Sequence, residues 1–113
     1  MTNLRTQHVN DWLELTYSKN EKERAHAVGA LCPCHVRYND DAVWDRVLEL
    51  ADDPSSRVRS AVLHTLHDGS PNARVDDVVE AVEKMQHDSD LKLRRRVRNL
   101  LAHYRRTGRI NVA

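Results

Sequence analysis

Leu48-Glu49-Leu50-Ala51-Asp52-Asp53-Pro54-Ser55-Ser56-Arg57-Val58-Arg59-Ser60-Ala61-Val62-Leu63-His64-Thr65-Leu66 is the stretch whose reading decides the fold. Its apolar positions Val58, Val62 and Leu66 recur every four residues, one stripe of an α-helix, and the turn before them carries Asp and Pro. The same pattern returns 35 residues away in both directions. Leu15, Leu50 and Met85 align, as do Arg24, Arg59 and Arg94. Ala27, Val62 and Val97 form a third set, and Leu31, Leu66 and Leu101 a fourth. A period of this length marks a repeat architecture, in which each unit covers its apolar face with its neighbour.

Each repeat reads as two helices, giving an all-α solenoid of three helical hairpins. The repeats span approximately 6–35, 39–69 and 71–107, followed by a tail 108–113, within one domain over 1–113. Val9, Trp12 and Leu13 define the first helix of repeat one. Val43, Trp44, Val47 and Leu48 define that of repeat two, and Val75, Val78, Val79 and Val82 that of repeat three. Spacings of three and four, rather than two, make these valines helical. Asn20, with Glu23 three residues on, predicts an N-cap with a capping box. Asp53-Pro54 predicts a cap followed by proline at the first helical position, with Gly69 just past the end. Asn39 is expected to cap the first helix of repeat two, Ser70-Pro71 to open that of repeat three, and Asp88 or Asp90 to open the last helix, closed by Gly108.

The residues from the end of one helix to the start of the next resemble HEAT repeats, including the short bacterial kind related to phycobilisome lyases. An apolar helix end, an Asp in the turn, then Val-Arg and a spaced apolar run appear as Leu48 to Leu66 in repeat two, and as Asp88, Leu93-Arg94, Val97 and Leu101 in repeat three. Repeat one departs, with Ser18 at the Asp position and Glu23 in place of valine. The resemblance implies a protein-binding surface on the second helices, with catalysis a minority expectation. On that face the repeat register puts Ser60, Leu63, His64, His67, Arg95, Arg98 and Asn99, with Cys32 beside them. Arg24, Arg59 and Arg94 are each expected to fork onto the turn carboxylate of an adjacent repeat, here Asp53 or Asp88.

Two constellations stand apart from the repeat. Both cysteines of the chain lie in Cys32-Pro33-Cys34-His35, and thiolate and imidazole are ligand types zinc prefers. Position 67 is the repeat equivalent of Cys32, so Cys32, Cys34, His35, His64 and His67 form a candidate set for zinc or iron, against an ordinary helix end with no cofactor. The second constellation is electrical. All 17 acidic residues lie at or before Asp90 against ten Lys and Arg, a net of −7, whereas Leu91 onward holds eight basic residues and no acid. Such an end suits a phosphate backbone, and it also suits the acidic half of a second copy, so nucleic acid and self-association are open alternatives to a protein partner.

Composition limits the rest. The chain has no Phe, two Trp and three Tyr, so aliphatic side chains must fill the core of its 113 residues. Three glycines leave no Gly-rich phosphate loop, and no run approaches a membrane span. Met1-Thr2-Asn3-Leu4-Arg5 lacks the apolar stretch of a secretory signal, so the expected compartment is the cytoplasm with reduced thiols.

Overall fold

The computed structural model describes residues 4–32 and 40–111, and these are all-helical, with no strand among them. Six α-helices run in chain order: α1 (Leu4–Leu15), α2 (Glu21–Ala30), α3 (Asp41–Glu49), α4 (Ser56–Gly69), α5 (Val75–Lys84) and α6 (Leu91–Thr107). They pair as α1–α2, α3–α4 and α5–α6, one hairpin per repeat. Single 3₁₀ turns follow α3 and α5, at Leu50–Asp52 and Met85–His87, and a third, Asn72–Arg74, precedes α5. The second helices stack side by side, and α2 packs most extensively on α4. The stack is a slab of 46 × 29 × 18 Å.

The core follows the 35-residue register. Ala27, Val62 and Val97 are fully buried, and Leu31, Leu66 and Leu101 are buried at 2%, 0% and 3% exposure. Val58 and Leu93 are also buried, whereas Glu23, which replaces them in repeat one, is exposed. The first helices add Val9, Val43, Trp44, Val47, Val78 and Val82 to the same continuous core. Burying side chains of this size stabilises by roughly 1.5–3 kcal/mol each, set against the entropy of ordering the chain.

Helix starts show why the turns look as they do. Asn20 accepts from the N–H of Lys22 and Glu23, and caps α2 as its sequence predicts. The capping box takes a variant form, because Glu23 accepts instead from the Ser18 hydroxyl. In repeat two the expectation of an Asp53 cap is corrected. The helix begins at Ser56, capped by Ser55, which accepts from Val58 N–H. Asp53 is committed elsewhere, to the arginine of the repeat before. For the same reason Asp90, not Asp88, caps α6. Asp40 caps α3; Asn39, expected there, lies outside the described residues. The Asn72–Arg74 turn separates Ser70-Pro71 from α5. Helix α4 includes Gly69, and among the described residues only Gly108 takes the left-handed conformation, at φ 74°, that ends α6.

Two of the three predicted arginine forks are present, those of Arg24 and Arg59; Arg94, expected to fork as well, meets no carboxylate among the described residues. Arg24 donates from Nε and Nη2 to the two oxygens of Asp53, each at 3.0 Å. Arg59 does the same to Asp88, at 2.7 and 3.0 Å. Each arginine also donates from Nη1 to a carbonyl six residues back: Arg24 to Ser18, Arg59 to Asp53 and Arg94 to Asp88. Each guanidinium therefore closes its own turn, and the first two clamp the next repeat as well. Burial would raise the pKa of Asp53 and Asp88. The forked hydrogen bonds, with those from the N–H of Ser55 and Asp90, outweigh it and hold both carboxyls below their usual value of 3.8. The pairs therefore contribute fully above the unfolded pKa, and that contribution is lost as pH falls through the lower folded value. Removing one partner leaves a largely buried guanidinium without its counter-charge. Asp88→Ala is expected to cost about 2–3 kcal/mol in urea unfolding at pH 7. The gap between variant and wild type should narrow as pH falls below about 3.8, and a gap unchanged with pH would contradict the assignment.

Candidate functional site

The face formed by the second helices carries a groove between α4 and α6 of about 430 Å³, lined by Leu63, His67, Arg96, Asn99, Leu100 and His103. Leu63 and Leu100 are 2% and 7% exposed and form its apolar floor. His67, Arg96, Asn99 and His103 are exposed and form its rim. The geometry follows from helix periodicity: positions 96, 99, 100 and 103 lie on one side of α6, and 63 and 67 on the facing side of α4. Arg96 is fixed from across the groove mouth, donating from Nη1 to the Ser60 hydroxyl at 2.6 Å.

Of the residues assigned to this face from the repeat register, Leu63, His67 and Asn99 line the groove, and Ser60 holds its arginine. Leu63 serves as buried floor. Arg95 and Arg98 are exposed on α6 but do not line the groove. Arg96, Leu100 and His103 were not legible from the register alone. A shift of one position, set by how α6 rotates on α4, decides which of three adjacent arginines faces inward.

The metal-type residues separate. His67 turns toward α6. His64 turns toward α2, where Cys32, His64 and Asp68 bring one donor atom each within 4.8 Å of one another. Cys32 is a buried thiol, and its Sγ–H donates to Asp68 Oδ2 at 3.1 Å. Asp68 had no signal in the sequence beyond its i, i+4 spacing from His64. Cys34 and His35 lie outside the described residues.

A profile of HEAT repeats matches residues 9–102. The chain belongs to the HEAT-repeat family. No curated protein and no solved structure gives a match. HEAT repeats generally mediate protein–protein interaction, and in this HEAT-repeat chain the groove lies on the second helices. No helix of the described residues is long and apolar enough to cross a membrane.

One rim residue, His67, is tuned against protonation. Partial burial lowers the His67 pKa from 6.5, the nearby His103, His64 and Arg96 lower it further, and Asp68 opposes. His67 therefore stays neutral at pH values where a free imidazole is already protonating. As pH falls through 6.5 the unfolded chain gains this proton before the folded one, so the site withdraws stability on acidification. In an NMR titration His67 should reach its midpoint below the ordinary value of 6.5, and His103→Gln should move it upward. A midpoint indifferent to His103 would remove the coupling across the groove.

Proposed function

We propose that this protein is a non-enzymatic binding module that holds a short acidic segment of a partner protein in the groove between α4 and α6. The observation that carries the reading is the composition of that groove. Its floor is two leucines, its mouth holds a guanidinium already fixed by Ser60, and the helix beside it exposes Arg95, Arg98, Arg105 and Arg106 with no acidic residue. An apolar anchor in a pocket with a polar, cationic rim is the form in which interface energy concentrates. The surrounding charge steers an acidic partner and fixes its register.

The same arginines suit phosphates, but the ring chemistry argues against a single-stranded nucleic acid. Tyr104, the tyrosine of α6, packs against the core, so its ring is not an open platform for a base. The α5 helix and the first turn of α3 are acidic, which disfavours a polyanion wrapping the stack.

Peptides selected by display from an acidic, amphipathic library test the reading. Arg96→Glu and Asn99→Trp should each weaken the selected peptides at least about tenfold in fluorescence anisotropy, while Glu80→Arg on the α5 face leaves them unchanged or slightly tighter. Selected peptides that ignore both groove variants would place binding elsewhere. Affinity for a DNA or RNA oligonucleotide exceeding that for every peptide, and falling steeply with salt, would favour the phosphate alternative.

A further inference from the structure

We infer that Cys32, His64 and Asp68 form a zinc-type site that ties repeat one to repeat two. The three side chains supply the sulfur, nitrogen and oxygen donors that Zn²⁺ takes, from two packed helices and with donor atoms all within 4.8 Å of one another. Zinc bonds of about 2.0–2.3 Å at tetrahedral angles set neighbouring donors roughly 3.3–3.6 Å apart. Cys32 Sγ and Asp68 Oδ2 are already 3.1 Å apart, and His64 is exposed and has room to close in. Thiolate, carboxylate and neutral imidazole together balance the charge of a divalent ion, and binding releases the Cys32 thiol proton to solvent.

Cys32 follows the C-terminal end of α2, and Asp68 sits in the last turn of α4, so the triad bridges the ends of two packed helices. The backbone between them is firmly held: α2 and α4 form the most extensive helix contact, and the buried Thr65 hydroxyl donates to the Val28 carbonyl across it. The two donors of α4, at i and i+4, share one helix face, the spacing a helix uses to present a metal pair. Three protein ligands leave the fourth coordination position for water.

The architecture gives such a site a purpose. The arginine forks tie the repeats only where their second helices begin. At the other end, repeats two and three are joined by Asn111, which is buried and donates to the Ser70 carbonyl at 2.6 Å. Between repeats one and two the triad occupies the corresponding place. A metal there would close the far end of the first boundary as Asn111 closes the second.

The test uses the full chain, reduced and stripped with a chelator, titrated with Co²⁺ and then with Zn²⁺ in competition. One equivalent should bind, with a sulfur-to-cobalt charge-transfer band in the near ultraviolet that Zn²⁺ abolishes, and Zn²⁺ should raise the Tm. Cys32→Ser should lose the band. Asp68→Asn and His64→Gln, at less buried positions, should still fold by circular dichroism and weaken Zn²⁺ by more than about 100-fold, beyond what loss of a supporting hydrogen bond produces. Cys34→Ser should bind as the wild type does. Failure of the reduced chain to take up metal would overturn the site and leave Cys32–Asp68 a plain hydrogen bond. So would binding that survives the His64/Asp68 double substitution, or binding lost in Cys34→Ser.

Discussion

A guanidinium clamped between its own turn and the next repeat's carboxylate is the constraint on which the rest of this stack depends. Arg24 and Arg59 each use three of their donor groups, one on the carbonyl that closes the turn and two on Asp53 or Asp88. The side chains are 13–14% and 6–7% exposed, so each bond forms where water competes poorly. Because the fork is planar and bidentate, it fixes the orientation of the two repeats as well as their distance. The apolar stripes of α2, α4 and α6 meet in register as a consequence. A stack held by leucines and valines alone would have less to prevent sliding, since apolar contact is not directional.

The clamp is asymmetric along the chain, and each end departs from it in a readable way. Ser18 stands where Asp53 and Asp88 stand, and its hydroxyl accepts from Asn20 N–H as those carboxylates accept from Ser55 and Asp90. It keeps the turn and drops the fork. Arg94 keeps the bond to its turn carbonyl, and its fork meets no carboxylate among the described residues. The first repeat compensates through α3, where Arg46 donates to the Thr16 hydroxyl and carbonyl and lies 3.7 Å over the Tyr17 ring.

Much of the fold was legible in the sequence because the repeat states the same rule three times. The buried stripe, the Arg24 and Arg59 forks and the Asn20 cap follow from residue type at a fixed offset, and the Gly108 stop from a glycine just past the last helical stripe. What could not be read was competition for one residue. Asp53 reads equally well as a cap or as a fork acceptor, and only the reach of Arg24 across 29 positions decides it, leaving the cap to Ser55. The groove was legible to within one residue of rotation: the sequence places arginines 94, 95, 96 and 98 on α6, but helix packing selects Arg96. The Cys32 cluster was half legible. Cys32 and His64 carry a recognised ligand chemistry, whereas Asp68 near a helix end reads as an ordinary solvated carboxylate until α2 is laid beside α4.

These features share a location, and the clamp explains it. Forks hold both boundaries at the starts of the second helices, so those ends have least freedom to rearrange. The groove and the Cys32 cluster both use the central helix beyond its first turn: His64 and Asp68 face α2, and Leu63 and His67 face α6. Helix α4 is therefore the shared wall of two unlike surfaces, one thiol- and carboxylate-bearing, one apolar and cationic. Thr65, fully buried between His64 and His67 and bonded to the Val28 carbonyl, sets how far that wall can turn. Rotation of α4 that brings His64 nearer Cys32 must carry His67 with it, because both project from one rigid helix. The two sides are thus mechanically coupled through a single element, and its C-terminal half is where this small stack carries the chemistry that its repeats alone do not require.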